Sequence, residues 1–378
     1  MPGEHLMSGT DYTSAEVEAL VREMGPLSAR AESDHVRGVA IYGAGFVGTW
    51  AAQYLKSLGA VVTHFIDRDP KKNGTSIRGI KVVLPTDPVV AADSTIYLAA
   101  RHAVKEVQSA MARADRLLIS FDGYYVVRNY ERFVAVRDGY LEDEKSRRTY
   151  NALLVAMLSG STASCRAVME KDMYFAVPEF SGMFDEIFVD AGAFVGDTLE
   201  RFIWENMGTF KHIYAFEPGR RQFAALQQRM RRLSGEWAFA SESVTAVKAG
   251  LSSSEGRMIC TFVDDSPLRH GLTGDTPAIG NAESVPVHTL DSFLQGRPAT
   301  FIKVDVEGME MELLMGAQQT IRHYRPKLAL CAYHYPSDLF EIAEYVRSLV
   351  PEYKFRLRQH APIFGDFVLY CHVPEMPK

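Results

Sequence analysis

Short apolar stretches alternate with helical segments in the first part of the chain. Strand-like stretches occur at 39–42, 61–66, 80–83, 94–99 and 116–120. Helical spacing of apolar residues fits 47–58 and 103–114 between them, and a further helix is predicted from Thr13 to Met24 with Ser14 as its N-cap. Strands that alternate with helices are typical of parallel βαβ units, so this part predicts a doubly wound α/β domain.

A second alternation begins at residue 184. It predicts strands at 187–192, 212–218, 244–250, 299–305 and 326–333, helices at 198–206, 220–233, 310–322 and 338–349, and a closing hairpin of 354–360 with 366–371. The segment between the two alternations shows helical rather than strand spacing. The sequence therefore predicts two doubly wound, Rossmann-like α/β domains, at 1–125 and 184–378, joined by a helical connector at 126–183.

Composition removes several classes of protein. The chain has 41 Lys and Arg against 47 Asp and Glu, so its net charge of −6 gives no reason to expect a nucleic-acid partner. Its four cysteines are far apart and form no CxxC pair, which argues against a zinc ribbon or a disulfide framework and fits a reducing cytosol. The first residues lack a signal-peptide pattern, and the charge-free stretch 38–55 is interrupted by glycines. We expect a cytoplasmic protein without a membrane partner, and a homo-oligomer stays open.

The first glycine-rich loop contains Gly43, Gly45 and Gly48, directly after a predicted strand and at the start of a helix. Asp67 ends the next strand, about 20 residues further on, where a dinucleotide fold places its ribose-binding acid. These glycines allow a phosphate to approach the helix N-terminus. The loop predicts nucleotide binding, and the alternative is a domain that keeps the turn only as a scaffold. This part resembles the Rossmann-like domains found beside sugar-modifying enzymes, through YGAGFVG and FIDRDPKKNG.

A second glycine loop differs by the acid at the end of its strand. Asp190 precedes Gly192 and Gly196 in the run FVDAGAFVGD. A carboxylate at this point repels a pyrophosphate but attracts a cation, such as the ammonium group of S-adenosylmethionine. The glycines let the backbone come close to the ligand. This spacing therefore favours an S-adenosylmethionine site over a dinucleotide site.

The next two strands support the same ligand. Glu217 ends the strand YAFEP, where a carboxylate can accept both ribose hydroxyls. The following strand is predicted to end in small and apolar residues suited to packing on an adenine. The predicted cofactor site consists of Asp190, Gly192, Phe194, Gly196, Asp197, Glu217, Ala249, Gly250 and Leu251. The alternative is an unrelated α/β domain with turn glycines and exposed acids.

Two acids and a histidine follow later strands. Asp305 and Glu307 come at the end of ATFIKVD, and His334 follows PKLALCAY. Carboxyl ends of parallel strands meet at one edge of a sheet, so these groups could deprotonate a hydroxyl or hold a divalent cation. We predict them as catalytic residues, assign no metal ligands and keep a divalent cation open. The ordinary alternatives are that Glu307 caps the next helix and that Glu310 faces solvent.

Two further segments have open roles. The aromatic run KDMYFAVPEF at 171–180 either covers the cofactor or packs into the core. His270 lies in the polar segment 264–274, which is either a lid over the substrate or an ordinary solvent-exposed loop.

Five runs carry a resemblance to a known family: FVDAGAFVGDT, YAFEP, VHTLDSFL, FIKVDVEGMEMELLMGA and DFVLYC. Residues 174–371 resemble the FkbM family of S-adenosylmethionine-dependent methyltransferases. The resemblance implies a class I methyltransferase fold, with a seven-stranded sheet and an antiparallel last strand, and O-methylation of sugars or secondary metabolites. It assigns Asp190, Gly192, Gly196 and Glu217 to the cofactor and the Asp305–Glu307 block to the active-site edge.

The sequence therefore predicts an S-adenosylmethionine-dependent O-methyltransferase. The expected acceptor is a hydroxyl of a sugar, a nucleotide sugar or a secondary metabolite, with His334 or Asp305 taking its proton. Two alternatives remain at this stage. One is an NAD(P)-dependent oxidoreductase that uses the loop at 43–48, and the other is a non-catalytic nucleotide-binding scaffold.

Overall fold

A computed structural model of the chain describes residues 12–256, 258–262, 272–273 and 282–374. It contains a six-stranded, a seven-stranded and a four-stranded sheet, with helices between the strands. The two large sheets confirm the predicted fold class, an α/β protein with two Rossmann-like units. No helix within the described residues combines the length and the apolar character needed to cross a membrane. His270 lies outside the described residues.

The first sheet has the strand order β3-β4-β2-β1-β5-β6. Its strands are β1 (Val39–Tyr42), β2 (Val62–Ile66), β3 (Ser76–Ile77), β4 (Ile80–Val83), β5 (Thr95–Leu98) and β6 (Leu117–Ser120), and its helices are α1 (Ser14–Ser33), α2 (Phe46–Ser57) and α3 (Val104–Met111). All neighbours pair in parallel except β3, a short antiparallel edge strand that the sequence did not predict. Because the strands are parallel, the first glycine loop and Asp67 lie at the same edge.

Helix α1 is longer than the sequence predicts, and its cap is different. The side chain of Thr13, not Ser14, accepts the backbone N–H of Glu16, and the helix continues through Pro26. Its buried residues, Val17, Met24, Ser28 and Ala31, share one face. Burial of that face outweighs the backbone hydrogen bond that a proline removes, so the helix does not end there.

Three helices connect the two large sheets: α4 (Phe121–Gly139), α5 (Glu144–Ser159) and α6 (Ala163–Ala167). Helix α5 lies within the connector at 126–183, for which the sequence predicts helical structure, and eleven of its residues are buried. One hydrophobic core contains Ile41 of the first sheet, Tyr125 of α4, Leu153 of α5 and Phe340 near the second sheet. The connector helices therefore pack into one hydrophobic core with residues of both units. The predicted domain boundaries stay predictions.

The strands that follow are β7 (Ile187–Ala191), β8 (His212–Phe216), β9 (Val244–Val247), β10 (Gly250–Leu251), β11 (Met258–Phe262), β12 (Leu272–Thr273), β13 (Ala282–His288), β14 (Phe301–Val304), β15 (Lys327–Cys331), β16 (Lys354–Gln359) and β17 (Phe367–His372). The helices are α7 (Asp197–Glu205), α8 (Arg220–Trp237), α9 (Leu290–Leu294), α10 (Glu310–Gly316), α11 (Gln318–Tyr324) and α12 (Asp338–Leu349). The seven-stranded sheet has the order β16-β17-β15-β14-β7-β8-β9, and β17 is antiparallel to both neighbours. This is the sheet that the resemblance implied.

Two predicted elements differ from the structure, and one strand of the structure has no predicted counterpart. The third strand of this sheet ends at Val247, and Gly250–Leu251 instead pair in parallel with Val287 and His288 of β13, in the four-stranded sheet. Strand β13 was not predicted. The helix predicted at 310–322 is two helices, because Ala317 leaves helical geometry between them. The sequence pattern shows which residues are apolar, but not which sheet a short strand joins.

Candidate functional site

The second glycine loop leads from β7 into α7 along the end of the neighbouring strand β14. Gly192 and Gly196 have φ angles of 77° and 82°, which favour glycine. A Cβ atom on Gly192 would lie 1.8 Å from the backbone oxygen of Asp305. Only glycine fits this point, so the loop and the residue that follows β14 are in direct contact.

Asp190 lies beneath this loop. Its side chain is fully buried, and its Oδ1 is 3.1 Å from Nζ of Lys303, a buried lysine in β14. Lys303 also donates a hydrogen bond of 2.6 Å to the carbonyl oxygen of Gly192. The burial of Lys303 lowers its pKa, but the charge of Asp190 outweighs this and the pKa lies above its ordinary value. The ion pair thus holds the loop through the hydrogen bond from Lys303 to the Gly192 carbonyl. Asp190 itself exposes no surface to a ligand.

Lys303 was not singled out from the sequence. The signal was present, because a lysine stands inside the otherwise apolar run FIKV. A charge in a strand that is buried on both faces requires an opposite charge nearby.

Glu217 faces the glycine loop from the end of β8. Its Oε2 accepts the backbone N–H of Phe194 at 2.8 Å, and its Oε1 accepts that of Gly219 at 2.6 Å. Burial raises the pKa of Glu217 to about 7, although both hydrogen bonds act in the opposite direction. Each carboxylate oxygen keeps a second lone pair, so a ligand's hydroxyl groups can still bind there.

The remaining predicted cofactor residues lie around the same edge. Phe194 is half-buried and has a φ of 47°, whereas Asp197, the first residue of α7, is exposed. Ala249, Gly250 and Leu251 are all buried. The loop carboxylate that a ligand can reach is therefore that of Asp197, not Asp190.

The three predicted catalytic residues come together at the ends of β14 and β15. His334 Nε2 is 4.0 Å from Oδ1 of Asp305 and 3.6 Å from Oε2 of Glu307. The two oxygens of Asp305 accept hydrogen bonds from the hydroxyls of Tyr174, at 2.8 Å, and Tyr333, at 3.0 Å. The aromatic segment at 171–180 thus contributes one tyrosine to this edge. These two hydroxyls fix the orientation of the Asp305 carboxylate.

Glu310 does not face solvent as the sequence predicted. It is buried, and its Oε1 accepts the backbone N–H of Val306 at 3.0 Å and of Gly308 at 3.4 Å. The same oxygen is 3.1 Å from Nδ1 of His334. Glu310 therefore stabilises the turn before α10. This capping role is one alternative that the sequence allows for Glu307, but Glu307 is exposed.

The charged groups at this edge shift one another's pKa values. Burial alone raises the pKa of Asp305, but the positive charges of Lys303 and His334 outweigh it and the pKa is lowered. For His334, burial lowers the pKa, but the carboxylates of Glu310 and Glu307 raise it well above its ordinary value. In the protein by itself, an ionised Asp305 thus faces a protonated imidazole.

The first glycine loop is stabilised by a similar acid. Asp67 Oδ2 accepts the backbone N–H of Ala44 at 2.8 Å and lies 2.9 Å from Lys72 Nζ, while Oδ1 accepts the N–H of Asp69. Burial raises the pKa of Asp67, but these hydrogen bonds outweigh it and lower the pKa. A Cβ on Gly48 would lie 1.8 Å from the backbone oxygen of Gly43, whereas Gly45 is open. Asp67 and Ala44 thus form the same contact as Glu217 and Phe194.

The two glycine loops belong to different sheets, but both reach the edge that holds the three predicted catalytic residues. Phe46, the first residue of α2, stacks on Tyr335 with ring centroids 4.6 Å apart and lies edge-on to His334 at 6.2 Å. A Cβ on Gly308 would lie 2.2 Å from the Phe46 ring. The N-terminal unit therefore contributes an aromatic wall beside His334.

Arg101 makes a second connection between the units. It follows β5, and its guanidinium pairs with Asp122 at 2.7 Å. The same group donates to the backbone oxygens of Tyr333, at 2.6 Å, and His334, at 3.3 Å. Neither Phe46 nor Arg101 could be found from the sequence, because their partners at this edge, Tyr333 to Tyr335, are more than 200 residues away along the chain.

Comparison with known proteins addresses the second unit. Residues 190–357 match the model of the methyltransferase FkbM domain. The crystal structure of methyltransferase FkbM from Methylobacillus flagellatus KT superposes with a TM-score of 0.60 at 22% identity, covering 95% of this chain and 98% of that one. This similarity shows the shared fold. The search of curated proteins found no match.

Two other solved structures align over parts of the chain. UDP-D-quinovosamine 4-dehydrogenase from Vibrio fischeri is 27% identical over 22% of this chain and 75% of that one, with a TM-score of 0.20. An rRNA methylase from Streptococcus thermophilus is 16% identical over 51% of this chain and 89% of that one, with a TM-score of 0.33. These partial alignments add nothing to the assignment. The family match and the seven-stranded fold agree that residues 190–357 are similar to an FkbM methyltransferase domain, which in this chain follows a Rossmann-like unit.

Proposed function

We propose that the protein transfers a methyl group from S-adenosylmethionine to a hydroxyl oxygen. One observation carries this proposal: the glycine loop is in contact with Asp305, since Gly192 has no room for a Cβ beside the Asp305 backbone oxygen. A cofactor on the loop and an acceptor beside the Asp305 carboxylate would thus be neighbours. Such proximity supplies much of the acceleration of a two-substrate reaction.

The residues around the loop fit the cofactor. Glu217 accepts two backbone N–H groups and keeps lone pairs for the ribose hydroxyls. Asp197 is exposed at the start of α7, where it can face the ammonium group. Bound S-adenosylmethionine supplies a methyl group on a positively charged sulfur, and the carboxylates at this edge favour such a cation.

The catalytic edge then handles the acceptor's proton. An oxygen–carbon bond forms as the carbon–sulfur bond breaks, and the electron pair of that bond stays on sulfur. Asp305 is half-buried, whereas His334 is buried, so the Asp305 carboxylate is the more accessible acceptor for the hydroxyl proton. Tyr174 and Tyr333 hold the carboxylate in place for this step.

The acceptor proposed here is a sugar hydroxyl, with a nucleotide-linked sugar as the first choice. Phe46 stands at the N-terminus of α2 in the first glycine loop and also contacts Tyr335 beside His334. A nucleotide phosphate on that loop would therefore place its sugar toward the catalytic edge. A secondary metabolite is the other acceptor class.

The proposal is tested by calorimetry of the purified protein with S-adenosylhomocysteine, followed by methyl transfer to a panel of nucleotide sugars. We expect binding of S-adenosylhomocysteine at one site and turnover with at least one acceptor. In the Asp305→Asn variant, turnover should fall by about 100-fold or more, the usual contribution of a general base, with unchanged S-adenosylhomocysteine affinity. Absence of binding to the folded protein contradicts the proposal.

NAD and NADP belong in the same panel. If either of them binds and is reduced or oxidised with a substrate, while S-adenosylhomocysteine does not bind, the protein is an oxidoreductase and the methyltransferase proposal is wrong. If neither S-adenosylhomocysteine nor a nicotinamide cofactor binds, the result favours the hypothesis of a non-catalytic scaffold.

Glu217 makes cofactor binding depend on pH. Its pKa of about 7 in the free protein means that it is mostly protonated at pH 6 and mostly ionised at pH 8. Ribose hydroxyls donate to the ionised form, so binding releases a proton and affinity rises with pH. We expect S-adenosylhomocysteine to bind about tenfold more tightly at pH 8 than at pH 6, the change that one pKa unit provides.

The Glu217→Gln variant is the control for this effect. Glutamine keeps an acceptor oxygen for the Phe194 N–H but does not titrate. Its affinity should be weaker than that of the wild type at pH 8 and nearly constant between the two pH values. Calorimetry in two buffers of different ionisation enthalpy measures the released proton, and equal pH dependence in both proteins would rule out Glu217 as its source.

A further inference from the structure

Asp305, Glu310 and His334 bring their ligand atoms together within 4.8 Å of one another. Glu310 is 1% exposed and His334 is 8% exposed. Within the described part of the chain, Oε2 of Glu310 has no hydrogen-bond partner, while Oε1 of the same carboxylate lies 3.1 Å from Nδ1 of His334. Buried polar atoms are rarely left without a partner, so this arrangement calls for a further group.

The charge at this point also lacks a counterpart. Glu307 adds a third carboxylate 3.6 Å from His334. Two cations at this edge are already paired, Lys303 with Asp190 and Arg101 with Asp122. One imidazole therefore faces three carboxylates, of which that of Glu310 is buried, and a buried charge is either paired or bound to a metal.

The three side chains are also held firmly. Two backbone N–H groups, those of Val306 and Gly308, fix Oε1 of Glu310 and leave Oε2 available. The hydroxyl of Tyr333 fixes Asp305, and Arg101 holds the backbone of His334. Ligands that are oriented by such outer contacts lose little freedom when they bind an ion.

We propose that Asp305, Glu310 and His334 bind one divalent transition-metal ion. Metal–ligand bonds of about 2.0–2.2 Å place two ligand atoms up to about 4.4 Å apart, so small side-chain rotations are enough to close the site. A mixture of two carboxylates and an imidazole suits Mn²⁺ better than Mg²⁺, which prefers oxygen alone. The role of the ion rests on the proposed function: held by one Asp305 oxygen, it would lower the pKa of the acceptor hydroxyl, whose proton passes to the other Asp305 oxygen.

The test is calorimetry of the full chain with Mn²⁺ alone, after removal of bound metal with a chelator. We expect saturable binding of one ion in the micromolar range. In the Glu310→Gln variant, affinity should fall by about 100-fold, since loss of a ligand costs at least as much as loss of an outer-shell partner. Glutamine still accepts the N–H of Val306, and an unchanged S-adenosylhomocysteine affinity confirms that the variant is folded.

Glu312→Gln is the matched control, because it removes an exposed carboxylate from the same first turn of α10. It should bind Mn²⁺ like the wild type. The proposal is overturned if the wild type shows no saturable Mn²⁺ binding, or if Glu310→Gln binds the ion equally well. Mn²⁺ binding without S-adenosylhomocysteine binding would refute the methyltransferase proposal alone, and the reverse result would refute the metal site alone.

Discussion

Replacement of Gly192 by alanine is expected to reduce S-adenosylhomocysteine affinity by about 100-fold. The new Cβ would lie 1.8 Å from the backbone oxygen of Asp305, and no side chain can rotate away to relieve a clash with backbone. The loop must move by about 1 Å, a displacement that can cost a factor of about 100 in a positioned site. Because Glu217 is hydrogen-bonded to the same loop through Phe194, its orientation changes as well.

Stability should change together with binding in Gly192→Ala. A left-handed backbone costs an alanine roughly 1–2 kcal/mol, and overpacking adds about 1–3 kcal/mol. Gly296→Ala is the matched control, because Gly296 has a similar φ of 80° but no atom within 4 Å of its Cβ position. Gly296→Ala should lose only the unfolding free energy that a left-handed backbone costs an alanine, and it should bind S-adenosylhomocysteine like the wild type. Urea unfolding and calorimetry measure both effects, and equal losses in the two variants would contradict the close contact.

The second large effect is expected for Lys303→Met. This variant leaves the carboxylate of Asp190 without a partner in a fully buried position. Removal of one member of a buried ion pair costs about 3–5 kcal/mol of unfolding free energy. It also removes the donor to the Gly192 carbonyl, so the second glycine loop loses a hydrogen bond that holds it.

Two comparisons show whether the ion pair is the cause. Lys211→Met breaks an exposed pair with Asp185, at a similar distance of 3.2 Å, and should cost at most about 1 kcal/mol. The double variant Lys303→Met with Asp190→Leu removes both charges and should regain most of the lost stability. If the double variant is as unstable as Lys303→Met, the cost comes from packing and not from the unpaired charge.

Dependence on pH gives a third check on Lys303→Met. Without the lysine, the folded-state pKa of Asp190 rises further above its unfolded value, because burial is no longer opposed by a positive charge. A raised folded pKa means that the native state binds more protons, so stability falls as pH rises through that pKa. The deficit relative to the wild type should therefore grow as pH rises above the ordinary pKa of an aspartate, about 3.9.

Local sequence patterns were sufficient for much of the fold. Strand β4 and helix α12 lie where the apolar spacing places them, because their residues alternate or repeat with one regular period. The pattern failed where a distant partner decides the outcome. The apolar character of Gly250 and Leu251 suits a strand in either sheet. Only their pairing with β13 shows that they belong to the four-stranded sheet and not to the seven-stranded one.

The candidate site divides in the same way. The motifs at the strand ends gave the two glycine loops, Glu217, Asp305 and His334, because parallel strands carry these groups to one edge of a sheet. The sequence was misleading for Glu310, which a first-turn position alone suggests is exposed. Its burial results from the turn at Val306 and Gly308, whose N–H groups it accepts.

The sequence by itself determined that this protein has two Rossmann-like units and that one of them has the loop of a methyltransferase, since these features depend on short-range spacing. Only the tertiary structure decided that Asp190 supports the loop while Glu217 faces it. The tertiary structure also decided that Phe46 and Arg101 from the first unit complete the edge around His334. The physical reason is that burial and charge pairing depend on neighbours from distant parts of the chain, which come together only when the two sheets pack against one core.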